Sequence, residues 1–565
     1  MIKKKIQQIR KKFKNYNIDG YVIPKNDEYF SENVYVDRLR LISNFSGSAG
    51  MAIILKNKNY LFVDGRYTIQ AKSQSGGYFR IIEIHKVLPY KILKNLKLGF
   101  DPKLFTKSLL TYYFGNKLKL IPINENLIDI KELNKNRSNK PFYSIPNNVV
   151  GMNFKKKISL VSKLLKKNKA DVIFISSPEN VAWILNIRGS DIPYSPIPNC
   201  NLIINKKKKF YLIARRKKLS NLLKEKKISY SNVIDPMDFG KFLKSLSEDK
   251  IIIDSKTCSY FNEKLISKNF KIISRNDPCY LLKSIKTESE IHHMKKTHID
   301  DGVALTKFIY WIKNLKNKKI TEIDAEKKLE KFRKKSKNFL YPSFNTIAGT
   351  GSNGAIVHYR ATKQTNKVIK KNDIFLCDSG GQYKFGTTDV TRTICFSKQP
   401  NKIKNIFTKV LKGHIAVATC NINKNNTGSK IDPMARKHLK MSGLDYAHGT
   451  GHGVGFFSNV HEGPQSISKF NKIILRKGMV LSNEPGFYKE GKFGIRIENL
   501  VFVNKNKNNL FFENLTMAPI DKDLINLKLL NKKEKDYLLN YHLLVYSKIS
   551  KYLSQQERKW LVRNI

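Results

Sequence analysis

The chain of 565 residues has only six cysteines and three tryptophans, and far fewer acidic groups (45 Asp+Glu) than basic ones (106 Lys+Arg). Cys200, Cys258, Cys279, Cys377, Cys395 and Cys420 form no CxxC pair, which argues against a zinc ribbon or a thioredoxin-type site. Six thiols in so long a chain are too sparse for a disulfide scaffold. No apolar run reaches the ~18 residues of a membrane span. The basic start, "MIKKKIQQIRKKFKNYNIDG", lacks the apolar core of a signal peptide. These absences predict a soluble protein in a reducing, cytoplasmic setting, with no membrane partner.

The formal charge of +61 invites a nucleic-acid reading. However, lysine is spread along the whole chain, in runs such as "NKKKKF" and "KNLKNKKI". Arginine, the better bidentate reader of phosphates and bases, is the minority cation. No RNA-recognition signature, zinc finger or basic zipper is visible. The charge is therefore read as composition, and nucleic acid is not expected as a partner.

Hydrophobic residues make up 41% of the chain, enough for large cores, and the length suggests several domains. Two front segments read as versions of one another. The first carries "DGYVIPKNDE", "ISNFSGSAG" and "YLFVDGR"; the second carries "DVIFISSPEN", "ILNIRGSDI" and "YLIARR". In each, an apolar strand ends in a polar cluster, and an Ile-x-Asn element and another strand follow. That order predicts two related α/β domains in tandem, over residues 1–140 and 149–278. The polar stretch Asn134–Asn148 reads as the linker between them.

A capping box at Thr287–Glu290 opens a long helical pattern. Beyond about residue 340, short β-branched strands alternate with Gly-rich turns, so the third domain is assigned to 285–520. The Lys-rich tail, 521–565, reads as a docked amphipathic helix with Leu538, Leu539, His542, Leu543 and Tyr546 as its apolar positions. The fold class expected is α/β (α+β).

The chemistry concentrates in the third domain. Asp378 ends the apolar strand "IFLCD", and Asp389 lies in "TTDVTRT" after a Gly-rich connection. Strands folded back on each other would bring the two carboxylates together, a repulsion that a cation relieves. Glu484 in "NEPGFY" and Glu498 in "GIRIEN" repeat the arrangement around a second turn. Four carboxylates suit hard divalent ions, and one histidine shifts the choice toward Mn, Co, Fe or Zn. "AHGTGHGVGFFSNVHEGP" supplies His448, His452 and His461. His448 and His452 have zincin spacing, but no Glu follows His448, and the glycines oppose a helix. "AGTGSNGAIVHYR" has the glycine spacing of a dinucleotide loop, yet no helix is expected after it. It reads instead as a tight turn that delivers His358 on a strand.

The motifs "VHY", "DSGGQY…TTDVTRT", "HGTGHGVG…HEGP", "NEPGFY" and "GIRIEN" resemble those of the pita-bread metallopeptidases. Agreement extends outside the metal motifs to "NDEYFSE", "NFSGSAG", "FVDGRYT", "LNIRGSDIPYSP" and "APIDKDLI", the pattern of cytosolic, three-domain aminopeptidases P. The resemblance implies two creatinase-like N-terminal domains and a pita-bread catalytic domain. It implies removal of the N-terminal residue from peptides with proline second, by a hydroxide held between two divalent metals, manganese ahead of cobalt or zinc. Asp378, Asp389, His452, Glu484 and Glu498 match the metal ligands, with Asp389 and Glu498 bridging. His358, His461 and Glu484 match catalytic groups. His358, His448, His461, Tyr488 and Arg496 match residues around the substrate. A homodimer is also implied. Prolidase, a dipeptidase on the same fold, is the nearest alternative. A non-catalytic module is disfavoured because all five ligand positions are filled.

Overall fold

The computed structural model describes residues 2–128, 138–315 and 319–564. It divides into two units: Met1–Asn147 with Met152–Cys279, and Asn148–Gly151 with Tyr280–Ile565. Among the described residues, no helix is long and apolar enough to cross a membrane. All six cysteines are buried and free.

The first unit holds two sheets. One contains β1 (Gly20–Pro24), β2 (Gly50–Leu55), β3 (Asn59–Val63), β4 (Arg80–Glu83), β5 (Lys97–Phe100) and β6 (Lys119–Pro122), in the order β4-β3-β2-β1-β5-β6. The other contains β7 (Val172–Ile175), β8 (Asn201–Asn205), β9 (Phe210–Ile213), β10 (Val233–Ile234), β11 (Lys250–Ile253) and β12 (Lys271–Ser274), in the order β10-β9-β8-β7-β11-β12. Strand directions also match. In both sheets the first strand runs antiparallel to the second and parallel to the fifth, and both outer pairs are parallel. The repeat read from the sequence is thus a repeat of topology.

Each sheet is covered on both faces, as the two-residue side-chain period requires. In the first, Tyr21, Ile23, Ala52 and Ile54 enter one core, while Val22, Met51, Ile53 and Phe62 enter the other. In the second, Ile173, Ile175, Leu202 and Ile204 oppose Val172, Phe174, Ile203 and Ile213. The N-terminal helix Ile2–Lys11 adds Ile2, Ile6 and Ile9 to the first core and turns Lys3 and Lys4 to solvent.

Of the expected linker, Asn134–Arg137 lie outside the described residues. Of the rest, Asn139, Lys140 and Pro146 to Asn148 are exposed, but the middle is packed. Phe142 is fully buried, and Tyr143–Ser144 pairs with Ile187–Arg188. Its two prolines suggest a linker, but between them Phe142 enters the core of the second sheet and Ile145 is buried.

In the second unit, the expected capping box is present: Thr287 and Glu290 satisfy each other's backbone N–H at the start of α1 (Glu288–Lys313). One antiparallel sheet joins β13 (Ile347–Thr350), β14 (Ile374–Ser379) and β15 (Val390–Cys395). Another joins β16 (Val480–Asn483), β19 (Asn499–Asn506) and β20 (Asn509–Asn514), with the hairpin β17 (Gly486–Lys489)/β18 (Phe493–Arg496) between them in sequence.

Buried Arg392 ties these parts together. Its guanidinium donates to the carbonyls of Thr391, Glu498, Ala518 and Pro519, to Asn499 Oδ1, and to the Tyr541 hydroxyl. Tyr541 belongs to α2 (Lys532–Ile549), so the tail is docked. Its buried stripe is Leu538, Tyr541, His542, Val545 and Ile549, whereas Leu539 and Leu543 are exposed.

Candidate metal centre

Antiparallel pairing of β14 with β15 sets Asp378 opposite Thr391, two residues beyond Asp389. Glu484 and Glu498 do not lie within the hairpin β17/β18 but flank it. Asn483 pairs with Asn499 and Gly486 with Arg496, so the two glutamates leave the paired strands at the same level. The short strand Gly451–His452 delivers the histidine. A Cβ on Gly451 would fall 1.9 Å from Ser482 O, and one on Gly453 would fall 2.0 Å from Glu462 O. These glycines are therefore close-approach positions.

The groups converge. Asp389, His452 and Glu498 each place one ligand atom within 4.8 Å of the others. His452 Nε2 lies 3.4 Å from Asp389 Oδ2 and 3.5 Å from Glu484 Oε1. His452 Nδ1 meets Gly453 O at 2.9 Å, which turns Nε2 toward the carboxylates. Ser482 Oγ accepts from His452 N–H and donates to Glu484 Oε1. Thr391 Oγ donates to Glu498 Oε2 at 2.8 Å.

Electrostatically the four carboxylates outnumber the positive groups beside them, Arg496 and His452. Burial, then the Asp378 and Glu484 charges, push Asp389 up to about 6 against the pull of His452. Burial, with Asp389, Asp378 and Glu484 beside it, holds Glu498 well above the usual carboxylate range. Burial alone would lower His452, yet Asp389 and Glu484 raise it to about 9. Asp378 Oδ1 is buried with no hydrogen-bond partner. A donor set of four carboxylates and one imidazole, with an unused buried oxygen, fits oxygen-preferring divalent cations.

Arg496 borders this set. It donates to Asp378 Oδ2 at 2.6 Å, to the Tyr488 hydroxyl at 2.5 Å and to Thr391 Oγ at 3.1 Å. His448 Nε2 meets the same Tyr488 hydroxyl at 2.9 Å. Burial pushes the Tyr488 phenol up to about 12. The His461 ring packs on His452, centroids 4.2 Å apart.

His358 sits in a turn rather than on the expected strand. It follows a 3-10 helix over Gly351–Ala355, and the carbonyl of neighbouring Val357 accepts from Arg496. The glycine spacing that imitates a dinucleotide loop has a different cause. Gly349 packs on Gly354, and a Cβ on Gly494 would fall 1.8 Å from Gly354 O. Buried Glu322 then pins the loop. It accepts from Thr350 N–H, Asn353 Nδ2, the Tyr359 hydroxyl and Lys367 N–H.

Sequence reasoning missed Thr391, Ser482, Glu322 and Arg392. Thr391 and Ser482 had a usable signal: each lies two residues along a strand direction from a carboxylate of the set, Asp389 and Glu484.

Comparison with known proteins agrees with this architecture. Residues 292–505 match the model of metallopeptidase family M24, and 508–565 match the C-terminal region of that family. Residues 5–137 and 134–290 each match a creatinase/prolidase N-terminal domain. A probable Xaa-Pro aminopeptidase P of Coprinopsis cinerea is 36% identical over 99% of this chain and 97% of its own length. Xaa-Pro aminopeptidase 1 of Dictyostelium discoideum is 35% identical over 100% and 96%. Among solved structures, the X-prolyl aminopeptidase of Caenorhabditis elegans, a cytosolic enzyme with a di-nuclear active site, is 28% identical with a TM-score of 0.90 over 100% of this chain and 99% of its own. Prolidase from Pyrococcus furiosus, 26% identical with a TM-score of 0.51, covers 63% of this chain. Similarity that spans the whole length and includes both front domains places the chain in metallopeptidase family M24, among the Xaa-Pro aminopeptidases P.

Proposed function

We propose that the protein is a metal-dependent Xaa-Pro aminopeptidase, removing the N-terminal residue from peptides with proline in the second position. The observation that carries this reading is the convergence of Asp389, His452 and Glu498, with Glu484 and Asp378 beside them, in a chain 36% identical to such enzymes over nearly all its length.

Asp378, Asp389, His452, Glu484 and Glu498 would hold two divalent cations, Asp389 and Glu498 shared between them. When bound, the pair supplies Lewis acidity and lowers the pKa of water. Manganese is the metal we assign, with cobalt or zinc as substitutes. Glu484, oriented by Ser482, takes a proton from the attacking water and returns one to the proline nitrogen that leaves. His358 and His461 donate to the substrate carbonyl oxygen as it gains charge. His448 and Tyr488 line the proline pocket, and Arg496 fixes Tyr488. An X–Pro bond has no N–H to grip, so ring shape must carry recognition. A homodimer and a cytoplasmic location complete the reading; the cytosolic relative supports the location.

The test compares Arg-Pro-Pro with Ala-Pro. Release of arginine from the tripeptide, dependent on added Mn, supports the reading; turnover of the dipeptide alone makes the protein a prolidase. Retention of activity and metal by Asp389→Ala would refute the site.

A further inference from the structure

Glu462 directly follows His461, and its carboxylate is buried between two buried ammonium groups. Lys286 Nζ bonds Glu462 Oε1, and Lys283 Nζ lies 3.3 Å from Oε2. Taking three charges out of water is costly, and apolar residues of similar volume often fill such space at less cost. The arrangement therefore asks for a role beyond packing.

Lys286 and Glu462 are each tied to a segment that leads to the metal centre. Lys286 N–H donates to Gly478 O at 3.0 Å, and Ile285 bridges to Met479. Those contacts lie at the entry to β16, the strand that carries Ser482 and leads to Glu484. On the other side, Glu462 N–H donates to Gly453 O at 2.7 Å, and Gly453 N–H donates to Gln465 O at 3.0 Å. These two bonds close residues 453–465 into a loop, with His452 just before it and His461 at its far end. The Glu462 side chain folds back beneath the same loop: Oε2 is 3.0 Å from where a Gly455 Cβ would stand.

We propose that Glu462, clamped by Lys283 and Lys286, is a positioning residue that sets the His461 ring over His452 and so aims it at the substrate carbonyl. This inference rests on the aminopeptidase reading above. A carboxylate gripped on both oxygens has one orientation; an amide facing two ammoniums would turn and release the backbone at residue 461.

Glu462→Gln is the test. kcat on Arg-Pro-Pro is expected to fall about 10²-fold, the scale of losing one oxyanion donor, with KM within about threefold and both metals retained. In a His461→Ala background the same substitution should change kcat no further; an equal loss in both backgrounds overturns the proposal. Metal-free protein carrying ¹³C-labelled histidine gives a second readout. The His461 ring resonance, assigned by its loss in His461→Ala, should move in Glu462→Gln, and an unmoved resonance overturns the proposal. If Glu462→Gln does not fold, Lys286→Met is expected to reproduce the kcat loss, and an unchanged kcat overturns it. A wild-type protein inactive on Arg-Pro-Pro would refute the aminopeptidase reading instead, and the resonance would still decide the role of Glu462.

Discussion

Arg496 holds Asp378 by one carboxylate oxygen, Oδ2 at 2.6 Å, and leaves Oδ1 buried without a hydrogen bond. The same guanidinium reaches Tyr488 and Thr391. It thus links one side of the carboxylate cluster to the residues proposed to line the proline pocket. Lysine has one compact ammonium and cannot span these three acceptors at once. Arg496→Lys is expected to lower kcat/KM by about 10²-fold through misplacement of Tyr488 and Asp378. Arg496→Met removes the partner altogether and should destabilise the metal-free protein by about 3–5 kcal/mol, the cost of an uncompensated buried charge. Denaturant unfolding with and without Mn checks this, because a bound cation should recover part of the loss. A metal-free Arg496→Met protein as stable as wild type would show that Asp378 is not held as a charge.

Removing a negative charge from the cluster has the opposite sign. Asp389 has its pKa raised from an ordinary 3.8 to about 6 by burial and by Asp378 and Glu484. A carboxylate raised in the folded state stabilises below its unfolded pKa, and that stability is lost as pH rises through about 6. At pH 7.5 without metal its ionised form is a net cost. Asp389→Asn should therefore be at least as stable as wild type when both are metal-free. With Mn at 100 times its Kd, wild type should gain about 2.7 kcal/mol, seen as a rise in Tm, and the variant far less. An equal metal-dependent rise in both proteins would remove Asp389 from the metal set.

The legible part of this molecule is what lies close together in sequence. Asp378 with Asp389, and Glu484 with Glu498, each straddle a single turn, so strand pairing alone brings them near. The front repeat was legible because both copies keep the same order of apolar strand, polar cluster, Ile-x-Asn element and further strand. What could not be read is pairing across long separations. Glu322 looks like an ordinary first-turn acid of a helix capped by Thr321, and only the fold shows it buried under the loop of residues 350–367. Arg392 gives no hint of its bonds to Ala518 and Tyr541. On α2 the residues Leu538, Leu539, His542, Leu543 and Tyr546 suggest one stripe, of which Leu538 and His542 are buried. The 3.6-residue period admits a second through Tyr541 and Val545, which the core selects.

The glycines of "AGTGSNG" yield a sharp test. A Cβ on Gly494 would fall 1.8 Å from Gly354 O and 2.6 Å from Gly354 C, backbone atoms that cannot rotate away. Gly494→Ala is expected to cost about 1–3 kcal/mol of stability through forced backbone shifts. It should also lower kcat, because the displaced loop carries His358. Gly77→Ala is the control: a Cβ there meets nothing within 4 Å, and its stability should stay within about 0.5 kcal/mol of wild type. If Gly494→Ala behaves like the control, the close crossing does not exist in solution.

Acid should destabilise the second unit through His542. Its Nε2 accepts a hydrogen bond from Ile520 N–H at 3.1 Å, a bond that only the unprotonated nitrogen can make. Burial first, then Arg392 and Lys522, lower its pKa from an ordinary 6.5 to about 4. A group depressed in the folded state contributes stability above its unfolded pKa, and that contribution falls as pH drops from 6.5 toward 4. Within that window the unfolded chain binds a proton that the folded chain refuses, worth roughly 1.4 kcal/mol per pH unit. His542→Gln keeps an acceptor for Ile520 N–H and cannot titrate there. Its unfolding free energy, measured in urea from pH 7 to 4.5, should fall less steeply than that of wild type by up to about one proton's worth of slope. Identical slopes would mean that His542 is already solvated, and that α2 is not docked through this bond.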